Sequence, residues 1–593
     1  MKSGKSLSFR VLIGLSIALC VFRYTHIASH ELSWDVFGYY LPLPAIFIND
    51  DPLLQQKEWI EGVNNKYHLT ETYYQISSTP DGRPMYFFLF GMSCMYLLFF
   101  GIGHFAAGWM GYPQDGFSEP YQYALVTGGI IFTILGMIYL RKILLNYFSE
   151  RIVTLLLVIL ILGTNASHHL SLKNLETVNV LFMFSALLIW NTIRFHSEPS
   201  LRSALGITIP LALMTLVKPS EILFCLIPIL WQCGTNESLL IKLHLFKAHW
   251  KKILFAILVA ALVLIPQLYY WYYMTGSWLY DTYKNPGVGL DLWSPHILET
   301  LFSARKGWMV YTPVMFFSLL GLIFLYRKRK DLFIGILFPF VIGFYILSSW
   351  TEWWYGAGFS LRPVIAWYPL LAIPMGYFLV QLTEMARRWR IALSSLIVLC
   401  VVLNLFKWYQ FEGGILDPYR TTKEYFYASF FDLKKDPKKE HLLMISRSFS
   451  GKDSLEDPER YRSRLLYDMK RSSGNDSLVI PENVEYALTQ KFAFGELTDR
   501  DHVWLQFSFR AEEVQQKTGK LILVALVERK EGPYGYRSYE MDSVAFSKTG
   551  HRFLYLTPEI RNNDDKVVFY FWNRDKKSVV LKDFNVKVLE KKN

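Results

Sequence analysis

Long apolar runs separated by short polar breaks occupy the first two thirds of the chain. Each run approaches the roughly 20 residues that an α-helix needs to cross a bilayer. No such run follows Tyr409. The pattern therefore predicts a polytopic α-helical membrane domain followed by a water-soluble domain. The twelve runs begin near Val11, Tyr86, Tyr121, Ile152, Val178, Ala204, Glu221, Ile253, Met309, Leu332, Val364 and Ile391.

Basic residues gather in clusters between these runs, as the positive-inside rule predicts for cytoplasmic loops. The rule places the N-terminus inside and the tail outside, so about 11 to 13 spans, an odd number, are expected. The runs near Tyr86 and Tyr121 cannot both be simple crossings: either one is re-entrant or the charge rule fails locally. The basic clusters are Lys2, Lys5 and Arg10; Arg141, Lys142 and Arg151; Arg194 and Arg202; Lys247, Lys251 and Lys252; Arg327 to Lys330; and Arg387, Arg388 and Arg390.

The composition agrees with this interpretation. The 593 residues are 52% hydrophobic and 17% aromatic, and the mean hydropathy is +0.20, above the usual range of soluble domains. The net charge of +12 follows from the loop clusters, so it reports topology rather than a nucleic-acid partner. The five cysteines all lie in or beside apolar runs, so the sequence predicts neither a disulfide framework nor a zinc site. We interpret the basic-then-apolar N-terminus as a retained first span rather than a cleaved signal peptide.

The tail has a different pattern. We divide the chain into a membrane domain, 1–430, with a first outer loop over 30–84, and an extracytoplasmic domain, 431–593. Residues 432–477 are charged and are expected to be helical or irregular. A β-sandwich is expected from about 478, and its spacing resembles a small jelly roll. Carbohydrate contact by this domain is an expectation from fold analogy alone. Alternating segments predict strands over 503–509, 521–527, 536–546, 552–556, 567–572 and 579–589.

Asp35 is the first candidate for chemistry, because it lies where the first apolar run leaves the membrane. A carboxylate so near the hydrocarbon is costly unless it has a task. One interpretation makes it the N-cap of a helix over Tyr39–Ile48. The functional one makes it a general base, or a metal ligand, acting on an acceptor.

Several cations follow in the segments that the charge rule places outside. Cations on this side run against the positive-inside bias and suit an anionic ligand such as a lipid phosphate. The alternative is that they snorkel at the membrane surface. Tyr355 lies in a segment whose aromatics suit a sugar face or an acyl chain, and whose glycines permit close backbone approach. The candidate cations are Arg83, Lys218, Arg305, Lys306 and Arg362.

Glu176 is a candidate second acid in the outer turn that begins at Thr164. The adjacent His168 and His169 point in different directions on a helix, which argues against a shared metal. No cofactor follows from these residues, and a divalent metal is left open.

Five motifs follow one another along the chain: DVFGYYLPLPAIF, GYPQDGFSEPYQ, TGSWLYDTY, FSARKGWMVYTP and WWYGAGFSLRP. In this order on a polytopic chain they resemble bacterial glycosyltransferases of the GT-C superfamily, which are relatives of protein O-mannosyltransferases and of the lipid A aminoarabinose transferase. The resemblance covers most of residues 1–430 and ends at Gly413–Leu416 and Thr422–Tyr425.

This resemblance implies a GT-C-like fold and an inverting enzyme of the bacterial inner membrane. Such an enzyme takes a sugar from a polyprenyl-phosphate donor and gives it to a glycan, lipid or protein acceptor outside the cytoplasm. Asp35 would match the catalytic first-loop aspartate, and Arg83 would lie near the phosphate-binding basic residue. The family places a second acid in the next outer loop, where this chain has Lys173, Asn174 and Glu176. Metal dependence is therefore left open.

Two other functions fit part of the pattern. A non-catalytic protein could use the tail for glycan binding or assembly and the helices as an anchor. A lipid or sugar transporter would place charged residues at mid-span, whereas the charges here cluster at one face.

Overall fold

The computed structural model describes residues 6–28, 30–283, 288–447, 453–455, 458–500, 502–513, 521–530, 532–541, 550–559 and 564–592. Lys2 and Lys5 of the first basic cluster, and the end of the strand predicted over 536–546, lie outside them. The chain forms two compact units. One comprises Met1–Thr282, Pro295–Ser349 and Trp353–Glu440. The other comprises Tyr283–Ser294, Trp350–Glu352 and His441–Asn593.

Eight helices of the described residues are long and apolar enough to cross a membrane. Each has at least 18 residues, about 27 Å of helix at 1.5 Å per residue, which is close to the hydrocarbon thickness. The predicted polytopic α-helical membrane protein is thereby confirmed. The helices are Leu7–Thr25, Gly91–Met110, Glu119–Leu145, Thr177–Ser197, Asn236–Thr275, Lys330–Ser348, Arg362–Glu384 and Arg387–Glu412.

The four remaining predicted runs are also helical but shorter. Prolines contribute to this, because they begin or interrupt three of the four. Short helices also form in the polar segments between the runs. The four shorter runs are Glu150–Leu162, Leu201–Val217, Pro219–Leu230, and Trp308–Tyr311 with Pro313–Met315 and Phe316–Lys328. The helices in the polar segments are Asp35–Tyr40, Pro42–Phe47, Lys57–Tyr67, Ala166–Ser171, Ile297–Phe302 and Lys423–Ala428.

Contacts of the helix Gly91–Met110 favour the re-entrant alternative for this run. Its first turn meets the first outer loop, since Ser93 Oγ donates to the Tyr39 carbonyl at 2.7 Å. The connection after its last turn meets the same loop, since Asp115 accepts from Lys66 Nζ at 2.8 Å. Both helix ends therefore lie beside one outer loop. Eleven of the twelve runs then remain as crossings, the odd number that an inside N-terminus and an outside tail require; the count stays a prediction.

The second unit is an antiparallel β-sandwich. Strands are numbered along the whole chain: β1 and β2 form a small hairpin within residues 30–84 of the first unit, and β3 to β11 form the sandwich. All six strands predicted for the tail are present over their described residues. The strands are β1 Ile76–Ser78, β2 Pro84–Tyr86, β3 Tyr461–Asp468, β4 Ser477–Ile480, β5 Tyr486–Ala493, β6 Trp504–Glu513, β7 Leu521–Arg529, β8 Gly532–Met541, β9 His551–Leu556, β10 Lys566–Asn573 and β11 Val579–Lys591.

The strand order is that of a jelly roll. One sheet has the order β5-β10-β7-β8, and the other has β3-β11-β6-β9, with β4 also paired to β11. Without β4, the eight strands divide between the two sheets in the orders first-eighth-third-sixth and second-seventh-fourth-fifth, which is the arrangement of two Greek keys. The core lies between the sheets, where alternate residues such as Phe507 on β6, Phe569 on β10 and Val586 on β11 are fully buried.

The expectation of helical or irregular structure over 432–477 was wrong at β3. This strand forms a sheet edge, and of its eight residues only Tyr467 is buried. An edge strand needs little apolar surface, so its sequence lacks the alternation that predicted the six strands from residue 503 onward.

Candidate functional site

Asp35 is held at the start of a short helix by a strained backbone. Trp34 has φ 54° and ψ −123°, a conformation that costs a non-glycine residue on the order of 1–3 kcal/mol. Two hydrogen bonds fix it: the Trp34 N–H donates to Leu69 at 2.9 Å, and Gln75 Nε2 donates to the Trp34 carbonyl at 3.1 Å. The capping interpretation of Asp35 is wrong, because Trp34 is the N-cap and the helices cover Asp35–Tyr40 and Pro42–Phe47.

The carboxylate of Asp35 is bound on both oxygens. Tyr74 Oη donates to Oδ1 at 2.5 Å, and Arg362 Nη2 donates to Oδ2 at 3.3 Å. Burial and the nearby negative charge of Asp35 raise the pKa of Tyr74 above its usual value. Tyr74 therefore stays a neutral donor at physiological pH.

Glu176 binds the same arginine. Arg362 Nη1 donates to Glu176 Oε2 at 2.8 Å, and the side chains of Glu176 and Arg362 are only 15% and 21% exposed. Burial alone would raise the pKa of Glu176, but the charges of Arg362 and Lys173 outweigh it and hold the pKa below its usual value. Glu176 is therefore ionised, and one guanidinium joins the two carboxylates that the sequence marked as candidates.

His169 packs against the cluster of Asp35, Glu176 and Arg362 on the side of Glu176. Its Nε2 donates to the Phe359 carbonyl at 3.0 Å, and its Nδ1 lies 4.0 Å from Glu176 Oε2. Complete burial lowers the pKa of His169 well below its usual range, so the ring is neutral. A Cβ on Gly358 would lie 2.7 Å from His169 Cε1. This glycine therefore admits the histidine ring rather than a ligand.

Lys306 and Arg305 are two buried cations beside the same segment. Lys306 is 1% exposed, and its Nζ donates to the Gly358 carbonyl. Burial lowers the pKa of Lys306 well below its usual value, and the charges of Arg305 and Arg362 act in the same direction. Arg305 is 5% exposed and places its guanidinium carbon 4.1 Å from the centroid of the Trp354 ring.

Lys218 and Tyr355 form a neighbouring pair. Lys218 Nζ lies 4.9 Å from the centroid of the Tyr355 ring, and Tyr355 Oη donates to the Leu347 carbonyl at 2.6 Å. Burial lowers the pKa of Lys218, the charge of Glu221 opposes this, and Arg362 lowers it further. A Cβ on Gly356, next to Tyr355, would lie 3.7 Å from Arg362 Nη2, so the pair adjoins this arginine.

Arg83 has other partners. Its Nε pairs with Asp81 at 2.7 Å, and its Nη2 donates to the Met274 carbonyl at 2.8 Å. Among the described residues, no hydrogen bond or ion pair joins Arg83 to Asp35, Glu176 or Arg362. The structure therefore brings together Asp35, Glu176, Lys218, Lys306 and Arg362, and it places Arg83 at the end of the helix Asn236–Thr275.

The adjacent histidines have separate partners. His168 is 1% exposed, and its Nδ1 lies 2.7 Å from Glu412 Oε1, whereas His169 faces Phe359 and Glu176. Within the described part of the chain, no group of three His, Cys, Asp or Glu side chains is arranged to hold a metal ion.

Sequence reasoning missed a buried network that links the segments before Asp35 and Glu176. Arg23 is 1% exposed. Its Nη1 donates to one oxygen of Glu31 at 2.8 Å and its Nη2 to the other at 2.5 Å, while its Nε donates to Asn174 Oδ1 at 2.8 Å. The available signal was an arginine inside an apolar run with a glutamate eight residues later. Tyr74 was also missed, because a tyrosine within a polar loop carries no such signal.

Comparison with known proteins gives a likeness in structure. No protein-family model matches the chain, and no curated protein sequence matches it. Among solved structures, the chain is similar to one described as the single-particle cryo-EM structure of arabinosyltransferase EmbB from Mycobacterium smegmatis, with a TM-score of 0.28 and 12% sequence identity. The likeness covers 84% of this chain and 64% of that chain, so this chain spans less than two thirds of the relative's length.

Proposed function

We propose that this chain is an integral-membrane glycosyltransferase that moves a sugar, with inversion, from a polyprenyl-phosphate donor to an acceptor outside the cytoplasm. The observation that carries the proposal is the arginine shared by two carboxylates, with Arg362 bonded to Asp35 and Glu176. A base for an acceptor and a cation for a leaving phosphate thus lie within one hydrogen bond of each other, and Glu176 and Arg362 lie where two apolar helices begin.

The residues divide between two tasks. Asp35 is the general base that takes the proton of the acceptor hydroxyl, a role that contributes typically 10²–10⁴-fold to rate. Arg362, with Lys306, Lys218 and Arg305 nearby, stabilises the negative charge that develops on the leaving phosphate. These cations come from three separate segments, and their burial strengthens their attraction for an anion.

The supporting residues are proposed to fix this geometry. Glu176 is the second acid, and it orients Arg362 rather than taking a proton, because the guanidinium keeps it ionised. Tyr355 would offer its ring to the sugar or the prenyl chain. Donor binding by Arg83 stays a prediction, because its bonds to Asp81 and to the Met274 carbonyl do not join it to this cluster.

Asp35→Asn tests the proposal in the producing cell. Lipid-linked sugars and surface glycans are compared between wild type and variant, with Asp50→Asn as the matched control, since Asp50 is an exposed aspartate of the same loop. We expect the Asp35 variant to accumulate the lipid-linked sugar and to lose a surface glycan. Unchanged profiles with normal protein abundance would favour the non-catalytic alternative.

A further inference from the structure

The two contacts of Arg362 are unequal. The bond from Nη1 to Glu176 is 2.8 Å long, within the 2.7–2.9 Å that is typical of charge-assisted hydrogen bonds. The bond from Nη2 to Asp35 is 3.3 Å long and therefore weaker. A competing anion would displace Asp35 from the guanidinium before it displaced Glu176.

The resting arrangement leaves Asp35 poorly placed to act. Arg362 donates to Oδ2 and Tyr74 to Oδ1. An acceptor hydroxyl, which a base must hold at about 2.6–3.2 Å, would have to share an oxygen with a donor that stabilises the unprotonated carboxylate. The same Nη2 group is one that a phosphate would need. The base and the leaving group therefore compete for one guanidinium nitrogen.

We infer that the donor phosphate replaces Asp35 on Nη2 of Arg362, so that donor binding precedes and permits activation of the acceptor. This inference rests on the proposed function. Glu176 keeps Nη1 throughout and holds the guanidinium in place. Tyr74 keeps Oδ1 and orients the released carboxylate, leaving Oδ2 for the acceptor.

The transfer that follows is balanced. The acceptor oxygen forms a bond to the anomeric carbon of the sugar, and its proton passes to Oδ2 of Asp35. The bond between that carbon and the phosphate oxygen breaks, and its electron pair leaves with the phosphate. The added negative charge on the phosphate lies against Arg362, and departure of the prenyl phosphate lets Arg362 return to Asp35 once the proton is lost to water.

Binding of farnesyl phosphate, a sugar-free prenyl monophosphate, tests the exchange with the full-length protein in detergent micelles. Removing the competitor in Asp35→Asn should tighten binding about fivefold, the factor that corresponds to ~1 kcal/mol. Asp35→Ala repeats the test with a different side chain. Glu412→Gln is the matched control, because this carboxylate is bonded to His168 instead of Arg362, and its affinity should equal that of wild type.

A double-mutant cycle tests whether the effect of Asp35 on binding acts through Arg362. In an Arg362→Gln background, binding should be weak and Asp35→Asn should no longer tighten it. Equal affinities of wild type and both Asp35 variants for farnesyl phosphate would overturn the exchange. The same holds if Asp35→Asn still tightens binding in the Arg362→Gln background, or if Glu412→Gln tightens binding as well. These results would leave the proposed function standing. Failure of wild type to bind farnesyl phosphate at all would overturn both.

Discussion

The ion pair between Arg23 and Glu31 offers the clearest test of the helical unit, because both side chains are buried at 1% and 9% exposure. Arg23→Met leaves the Glu31 carboxylate in a low-dielectric site with no counter-charge. Breaking a buried pair in this way costs about 3–5 kcal/mol. At roughly 2 °C per kcal/mol, the apparent Tm should fall by about 6–10 °C. Glu31→Leu should have a similar effect, because it leaves the guanidinium unpaired.

The five free cysteines supply a specific assay. They are distributed over the helical unit, and the sandwich has none, so a dye that fluoresces on reaction with thiols reports unfolding of the helices alone. The double variant Arg23→Met/Glu31→Leu should lose less than the sum of the single variants, because neither charge is then left unpaired. A strictly additive loss, or single variants that melt like wild type, would refute a coupled buried pair. The cysteines are Cys20, Cys94, Cys225, Cys233 and Cys400.

Two further predictions concern the site itself. Gly358→Ala should reduce glycan transfer and lower stability by about 1–3 kcal/mol, because its Cβ would lie 2.7 Å from His169. Gly62→Ala, with nothing within 4 Å of its Cβ, should leave transfer unchanged and raise stability by about 0.5–1 kcal/mol, because Gly62 lies inside the helix Lys57–Tyr67. Equal behaviour of the two variants would contradict the packing argument. Farnesyl phosphate binding should weaken as pH rises above about 7.5, where the phosphate is already dianionic and no longer changes its charge. The reason is that burial lowers the pKa of Lys306, and the charged form of this lysine is lost on the alkaline side of that pKa. Titration of affinity against pH checks this: Lys306→Gln should flatten the profile, and a flat wild-type profile would count against a charged Lys306 in the site.

The hydrophobic pattern predicted most of the fold, because both the apolar runs of near-membrane length and the two-residue alternation of the strands were pronounced. Apolar runs near membrane length became helices at all twelve positions, and period-2 segments became strands wherever one face is buried, as in β6 and β10. Residues without such burial were missed, and β3 is the example. The contacts that favour a re-entrant Gly91–Met110 could not be predicted from sequence, because they join distant positions such as Lys66 and Asp115, 49 residues apart.

The candidate site was predicted in residue type more than in arrangement. Asp35, Glu176 and Arg362 stand out in sequence because charges beside apolar runs are costly, and the structure joins them. Sequence spacing could not indicate that one arginine serves both acids, since 186 residues separate Glu176 from Arg362. Arg83 has the same sequence signal as these three residues, but its pairing with Asp81 places it apart from them.

The site and the membrane topology support each other. Asp35, Glu176 and Arg362 come from three different segments that the basic clusters place outside the cytoplasm. A topology wrong by one crossing between any two of them would put those residues on opposite faces, about 30 Å apart. The bonds of 2.8 and 3.3 Å exclude such a separation. Contacts made by charged groups therefore test whether these three segments share one face, independently of the basic residues from which the assignment came.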